Sequence, residues 1–310
     1  MATGKRPDAG MPGRGDDHPS PSPVGPTADP GLWRRPIVMG VVNVTPDSFS
    51  DGGQWFEPGA AVRHGLALWR EGAQILDVGG ESTRPGAQRP DLSEELRRVL
   101  PVVGALVGEG SVVSVDTMRA AVAEAAVAAG ATFINDVSGG LADPDMPAFA
   151  ASTGLPFIAM HWRGHSVDMQ SRAVYDDVVT DVVTELGERR DVLLQAGIRP
   201  EHLILDPGLG FAKTAEHNWA LLRHLGDLHA LGQPLLLGTS RKAFLGRVGR
   251  AAGAERLPEA RDVATAVTSF HAARHGVWGL RVHEVCGTVD ALDVAEALSD
   301  ADSNEEHGDG

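Results

Sequence analysis

Close to its C-terminus the chain reads RVHEV, Arg281 to Val285, an apolar strand that ends in an arginine and a histidine. Two donors two residues apart project from the same face of a β-strand and can grip one anion together. Upstream, Asp116, Asn135 and Asp206 supply two carboxylates and an amide, and Lys242 supplies a cation. That set suits a flat heterocycle with donors and acceptors along its edge. A carboxylate accepts two parallel N–H bonds, an amide reads a mixed pattern, and a lysine donates to a carbonyl. Buried carboxylates cost much unless they are paired in this way. The same oxygens are also ligands for a divalent cation. Lys242 would compete with a metal there, so the heterocycle is the favoured reading.

These residues need elements that bring them together. Between Pro36 and Leu298, short apolar runs alternate with segments of helical period, the pattern of βα units around a parallel sheet. Eight runs read as strands: PIVMGVVN, QILDVGGE, SVVSVDT, TFIND, PFIAMH, HLILDPG, PLLLGTS and GLRVHE. They are nearly continuous in Val, Ile and Leu, as strands covered on both faces should be. Stretches such as AAVRHGLALWREG and EARDVATAVTSFHAARHG form the helices between them, several closed by a glycine. Eight repeats predict an α/β fold, a single-domain (β/α)8 TIM barrel over residues 34–300. Each strand ends on a polar residue: Asn43, Asp77, Asp116, Asn135, His161, Asp206, Ser240 or His283. In a barrel those ends converge on the mouth where active sites lie, although any one of them alone could be a helix cap. Barrels often bind phosphate near the ends of strands seven and eight, so Arg281 and His283 read as a phosphate grip. The competing reading pairs Arg281 with Glu284 at the rim.

Composition narrows the partners. A net charge of −15 argues against nonspecific binding to nucleic acid or anionic membranes, which needs clustered Lys and Arg. The single cysteine, Cys286, excludes an intramolecular disulfide, suits a reducing cytoplasm, and reads as an inert core or rim thiol. Residues 1–33, rich in Pro, Gly, Ser and Asp, read as a disordered tail, and the acidic residues 301–310 as another. No apolar signal-peptide core follows the early basic residues, and no apolar stretch approaches the length of a membrane span.

Taken together, the motifs resemble those of the dihydropteroate synthase family over essentially the whole barrel. They are MGVVNVTPDSFSDGG from Met39, DVGGESTRPGA from Asp77, SVDTMR from Ser114, INDVSGG from Ile134, LDPGLGFAKT from Leu205, GTSRK from Gly238, and RVHEV. The resemblance implies condensation of 4-aminobenzoate with a dihydropterin diphosphate, giving 7,8-dihydropteroate and diphosphate, with Mg²⁺ assisting. It implies a pterin pocket of Asp116, Asn135, Asp206 and Lys242, and a diphosphate site of Asn43, Arg84, Arg281 and His283 with Mg²⁺ on Asn43. It implies an aminobenzoate site of Thr83, Pro85, Phe211 and Ser240 under two closing loops, TPDSFSDGG and ESTRPGA. Many relatives carry a serine or arginine after the lysine of GTSRK. Here Ala243 leaves only a backbone amide for the aminobenzoate carboxylate. Arg281, His283, Lys242 and Asp116 are the expected catalytic groups. The expected chemistry is C–O heterolysis to a pterin-methyl cation captured by the amine, so no strong general base is needed and His283 serves as a diphosphate ligand. The resemblance also implies a homodimer through the last helices.

Other candidates are set aside. His161 and His165 lack a third zinc ligand and read as a rim histidine and a solvated one. Asp136 points away from Asn135 and reads as a supporting partner behind the site. LDPGLGF lacks the spacing of a dinucleotide fingerprint. A pterin-dependent methyltransferase to a corrinoid would share the acceptor set but would not need a diphosphate grip. A silent paralogue should have lost one of the reacting residues, and all of them are present. Since the tail lies outside the barrel, a truncation starting near Leu32 is expected to keep full turnover. A truncated chain that is folded but inactive in the synthesis assay contradicts that reading.

Overall fold

The computed structural model describes residues 35–45, 58–82, 86–165, 169–251 and 253–306. Eight strands form one parallel sheet: β1 (Ile37–Asn43), β2 (Ile75–Gly79), β3 (Val113–Asp116), β4 (Phe133–Asp136), β5 (Phe157–Met160), β6 (Leu203–Asp206), β7 (Leu236–Leu237) and β8 (Gly279–Val282). Their order is β6-β5-β4-β3-β2-β1-β8-β7, and a bridge between Leu205 and Leu235 joins the two ends into a closed barrel. The helices that return the chain are α1 (Pro58–Arg70), α2 (Leu92–Gly108), α3 (Ala120–Ala128), α4 (Met146–Thr153), α5 (Val178–Gln195), α6 (Ala215–Arg223), α7 (Leu225–His229), α8 (Ala243–Gly246), α9 (Asp262–Arg274) and α10 (Cys286–Glu306). This is the expected (β/α)8 barrel, with two differences at the edges. β7 is only two residues long, because the chain turns at once into the loop that carries Lys242. α10 runs to Glu306, past residue 300 where the acidic tail was expected to begin.

Period-two alternation sorts each strand into two cores. Val38, Leu76, Val113, Ile134, Phe157, Leu203 and Leu280 face outward and pack under the helices. Ile37, Met39, Ile75, Phe133, Ile158, Ile204 and Leu236 face inward and fill the barrel floor, with Trp278 beneath them. Two residues further along the same inward face come Asp77 above Ile75, Asn135 above Phe133, Met160 above Ile158 and Asp206 above Ile204. The alternation that makes the floor apolar therefore puts Asp77, Asn135 and Asp206 into the next layer, with Met160 as its apolar member.

Local signals agree with the elements. Asp91 caps α2 by accepting from Glu94 N at 2.8 Å, and Asp177 caps α5 by accepting from Thr180 N at 2.8 Å. Thr214 and His217 form a capping box at the start of α6. Cys286 opens α10 and is exposed, so it is not a core thiol. Among the described residues no helix is long and apolar enough to cross a membrane.

Phe157 is fully buried between sheet and helices, with 0% exposure. Replacing it by Ala is expected to lower unfolding free energy by about 3–5 kcal/mol, through lost transfer energy and an unfilled cavity. The exposed Val192→Ala control should stay within about 0.5 kcal/mol in the same denaturant titration.

Candidate active site

The C-terminal mouth of the barrel opens into a cavity of about 1040 Å³. Asn43, Asn135, Asp206, Lys242, Arg281 and His283, from the ends of five different strands, all line it. Phe211, Ser240 and Ala243 line the same cavity. Asp116 reaches the cavity indirectly, through Arg281, whose NH2 donates to Asp116 Oδ2 at 2.7 Å. Thr83, Arg84 and Pro85, and every residue of the TPDSFSDGG loop except Thr45, lie outside the described residues.

At the centre is a cation shared by two carboxylates. Arg281 Nε donates to Asp77 Oδ2 at 2.6 Å while NH2 holds Asp116. Asn135 Nδ2 donates to the same Asp77 oxygen at 2.9 Å, which turns the Asn135 amide oxygen into the free acceptor of that side chain. The alternative partner of Arg281, Glu284, instead accepts from Gly287 N at the start of α10. Gly79 leaves room for this approach: a Cβ there would lie 3.3 Å from Asp116 Cβ and Oδ2, close enough to press on the carboxylate. Burial pushes the Asp116 carboxyl up, Arg281 pulls against it, and Asp77 adds to the rise. Burial opposes charge on Arg281 as well, but Asp77 and Asp116 outweigh it and hold the guanidinium firmly protonated. Burial raises Asp206 too, opposed chiefly by Lys242 and by the Gly208 N–H that it accepts at 2.7 Å.

The turn after β7 aims the lysine. Arg241 adopts a left-handed backbone at φ 59°, a strained conformation for a residue with a Cβ. It is held there by α9: Asp262 takes its guanidinium at 2.8 and 2.9 Å, and Thr265 Oγ1 accepts its N–H at 3.2 Å. Ser240 and Lys242, on either side, then both face the cavity. Lys242 Nζ donates to Leu209 O and stands 4.5 Å over the Phe211 ring. Burial lowers its pKa to about 8, with Asp206 opposing. Ser240 Oγ lies 3.0 Å from His283 Nδ1 and accepts from His283 N at 3.0 Å. When the hydroxyl donates to Nδ1, the ring proton sits on Nε2, the donor that an anion needs.

Three groups carry roles that the motifs did not assign. Asp77 was only one of the polar strand ends, yet it joins three strands. His161, expected on the rim, is instead buried off the cavity at 4% exposure. Its Nε2 meets Glu185 Oε2 at 2.9 Å and its Nδ1 meets Lys213 Nζ at 3.0 Å. Lys213, unnoticed within LDPGLGFAKT, also donates to Phe211 O at 3.2 Å, and Tyr175 donates to Ala212 O at 3.0 Å. This buried brace ties the Phe211 loop to α5. Burial and the neighbouring Lys213 charge lower His161 to about 4, so it is neutral and donates a hydrogen bond to Glu185. Burial lowers Lys213 to about 7 against the pull of Asp206. Asp136 does not support Asn135: it accepts from Ser138 N, Ser138 Oγ and Gly140 N, and so brackets the loop after β4.

The barrel with an acceptor row and a basic pair on one mouth defines a pterin-binding enzyme, and the chain matches the family described as Pterin binding enzyme over residues 39–283. It is 54% identical over 262 residues to a dihydropteroate synthase of Mycobacterium leprae, covering 84% of this chain and 92% of that one. It is 44% identical over 274 residues to a dihydropteroate synthase of Escherichia coli K12, covering 88% and 95%. A solved Xanthomonas albilineans dihydropteroate synthase with 4-aminobenzoic acid matches at TM-score 0.80 and 45% identity, covering 89% of this chain and 99% of that one. The Xanthomonas albilineans enzyme in complex with 7,8-dihydropteroate matches at TM-score 0.76 and 44% identity, covering 86% and 94%. The chain belongs to the dihydropteroate synthase family.

The Lys213 brace has a consequence for stability against pH. Its folded pKa of about 7 lies below the ordinary 10.5, so between those values the unfolded chain binds more protons and this group's contribution rises with pH. The stability of the natural chain relative to Lys213→Met should therefore improve from pH 7 to pH 9, read as the difference between paired urea titrations. A flat difference contradicts the assignment.

Proposed function

We infer that this chain condenses 4-aminobenzoate with (7,8-dihydropterin-6-yl)methyl diphosphate, releasing 7,8-dihydropteroate and diphosphate. The observation that carries this is one cavity lined both by acceptors suited to an amino-pyrimidinone edge and, beside them, by Arg281 and His283.

In this reading the pterin N–H edge takes the Asp116 and Asp206 carboxylates and the Asn135 amide oxygen, and Lys242 donates to the ring carbonyl. Once Asp116 is engaged by the pterin, the Arg281 NH2 that held it is available to the diphosphate. The C–O bond then breaks with its electron pair on the leaving diphosphate, where Arg281 and His283 meet the growing charge. The cation left on the exocyclic methylene lies over buried carboxylates that favour it. The aromatic amine is unprotonated at neutral pH; its lone pair forms the C–N bond, and the resulting ammonium loses its proton without a strong base. Phe211 and Ser240, with Thr83 and Pro85 from the second loop, would flank the aminobenzoate, and the amide of Ala243 would meet its carboxylate. Arg84 would approach the diphosphate from the same loop.

Mg²⁺ fits as a companion of the diphosphate. Among the described residues no group of three or more His, Cys, Asp or Glu forms a protein cage for a metal. Asn43 offers the cavity a single amide oxygen, which suits an ion held mainly by substrate phosphates and water. Bound there, the ion would supply neutralisation of the leaving charge. A homodimer through α9 and α10 is consistent with Val263, Val267 and Val294, which stay exposed on their outer faces.

The test is direct. Purified full chain with both substrates should release diphosphate and dihydropteroate in equal amounts, with turnover lost on chelation and restored by Mg²⁺. Arg281→Ala should lower kcat by about 10²–10³ while raising the pterin KM less, because its bonds strengthen as diphosphate leaves. An unchanged kcat would exclude this role for Arg281.

A further inference from the structure

Asp77 is the most deeply buried of the acidic groups on the inward face of the barrel mouth. It is fully buried, at 0% exposure, on the inward face of β2, and it is not part of the cavity lining. Its register neighbours are Val41 on β1 and Ser114 on β3, one layer below the level of Asn43 and Asp116, which both pair with Gly79. Substrate seated in the cavity meets Asn135 and Arg281 first, and Asp77 lies behind both. A single oxygen, Oδ2, accepts from Asn135 Nδ2 at 2.9 Å and from Arg281 Nε at 2.6 Å. It thereby links β2, β4 and β8.

Packing alone does not account for a carboxylate here. The inward position two residues below is Ile75, and an apolar side chain in place of Asp77 would avoid burying a charge. Moreover Asp77 Oδ1 meets no donor among the described residues, so the carboxylate is not retained to satisfy its own hydrogen-bonding capacity. What Asp77 does is set two orientations. The Asn135 amide has two ends of opposite polarity, and donation of Nδ2 to Asp77 leaves the oxygen for the ligand. The Arg281 guanidinium is a rigid planar fork, and anchoring Nε fixes the plane in which its remaining N–H groups point. Among the described residues, only the NH2 edge is committed elsewhere, to Asp116, the carboxylate that the bound pterin would claim.

We propose that Asp77 is the positioning residue of the site: without touching substrate, it holds the Arg281 fork as the pivot on which NH2 passes from Asp116 to the departing diphosphate, and it fixes the acceptor end of Asn135 toward the pterin. This rests on the synthase reading above and adds a residue to it. Since the guanidinium must be in plane when charge develops on the leaving group, the loss on removing Asp77 falls on turnover, and it falls through Arg281.

The experiment compares the natural full chain, Asp77→Asn, Arg281→Ala and the double variant in the steady-state synthesis assay, with unfolding curves for each. Asp77→Asn keeps the shape but removes the charge, so that Arg281 meets at best one neutral amide oxygen, with an NH2 in place of the second carboxylate oxygen. It should lower kcat by about a hundredfold, the scale of a misplaced catalytic group, with the KM for 4-aminobenzoate changed less than about threefold. The double variant should be no slower than Arg281→Ala alone by more than about threefold, because both changes remove one unit. A kcat within about threefold of the natural chain, or losses that multiply in the double variant, would overturn the proposal. If Asp77→Asn does not fold, Arg281→Lys gives the reading instead, since it keeps the charge and discards the anchored fork. Retention of more than about one third of kcat by Arg281→Lys would overturn it equally. Absence of turnover in the natural chain would overturn the synthase reading and this proposal together, whereas turnover there with unaffected variants removes the positioning role alone.

Discussion

The interior of this barrel mouth is organised around one guanidinium shared by two buried carboxylates. Asp77 and Asp116 stand on neighbouring strands, and without Arg281 between them two negative charges would face each other in a medium that screens poorly. Without them, Arg281 would be a buried cation with no partner. The three are therefore interdependent, and the arrangement is poised. A ligand that satisfies Asp116 frees one edge of the guanidinium, and an anion that takes that edge makes the exchange favourable. In the proposed reaction a dihydropterin carrying a diphosphate would do both at once, which would tie recognition of the ring to activation of its leaving group.

Around this core, the barrel uses its own construction to hold mobile parts still. The lysine that faces the cavity, Lys242, follows a left-handed arginine, and that strain persists because α9 over-determines it through Asp262 and Thr265. The loop that presents Phe211 is fastened to α5 by Lys213, His161 and Glu185, a chain in which burial suppresses charge on the first two. Lys213 and Arg241 border the cavity, and the groups that hold them, His161, Glu185, Asp262 and Thr265, lie behind it. They serve precision, since aligned donors act without reorganising when charge develops.

Much of this was legible in the linear chain because period and punctuation are local properties. Alternating apolar runs and amphipathic segments marked the barrel, and the polar residue closing each strand marked the mouth. Asn43, Asn135, Asp206, Ser240, Lys242, Arg281 and His283 do line one cavity. Asp116 was read as a ring ligand, and its carboxylate is first a partner of Arg281. His161 was read as part of the rim, but β5 sends Met160 inward, so its neighbour turns away and is buried against α5. Asp136 was read as a support for Asn135 and is spent on its own loop. The misreadings of His161 and Asp136 share a cause: residue type and spacing give the side of a strand, but not what is packed behind it.

Strand ends, their inward alternation and the chemistry of each side chain are written in the sequence by itself, because a fixed backbone period and a fixed set of functional groups follow from residue order. What only the folded chain decides is pairing. Arg281 and Asp77 are 204 positions apart, and Lys213 and His161 are 52 apart. Barrel closure sets those distances, and with them which charges neutralise one another, which way an amide faces and which protons are held. Those are properties of neighbours in space, and a buried charge takes its behaviour from its neighbours.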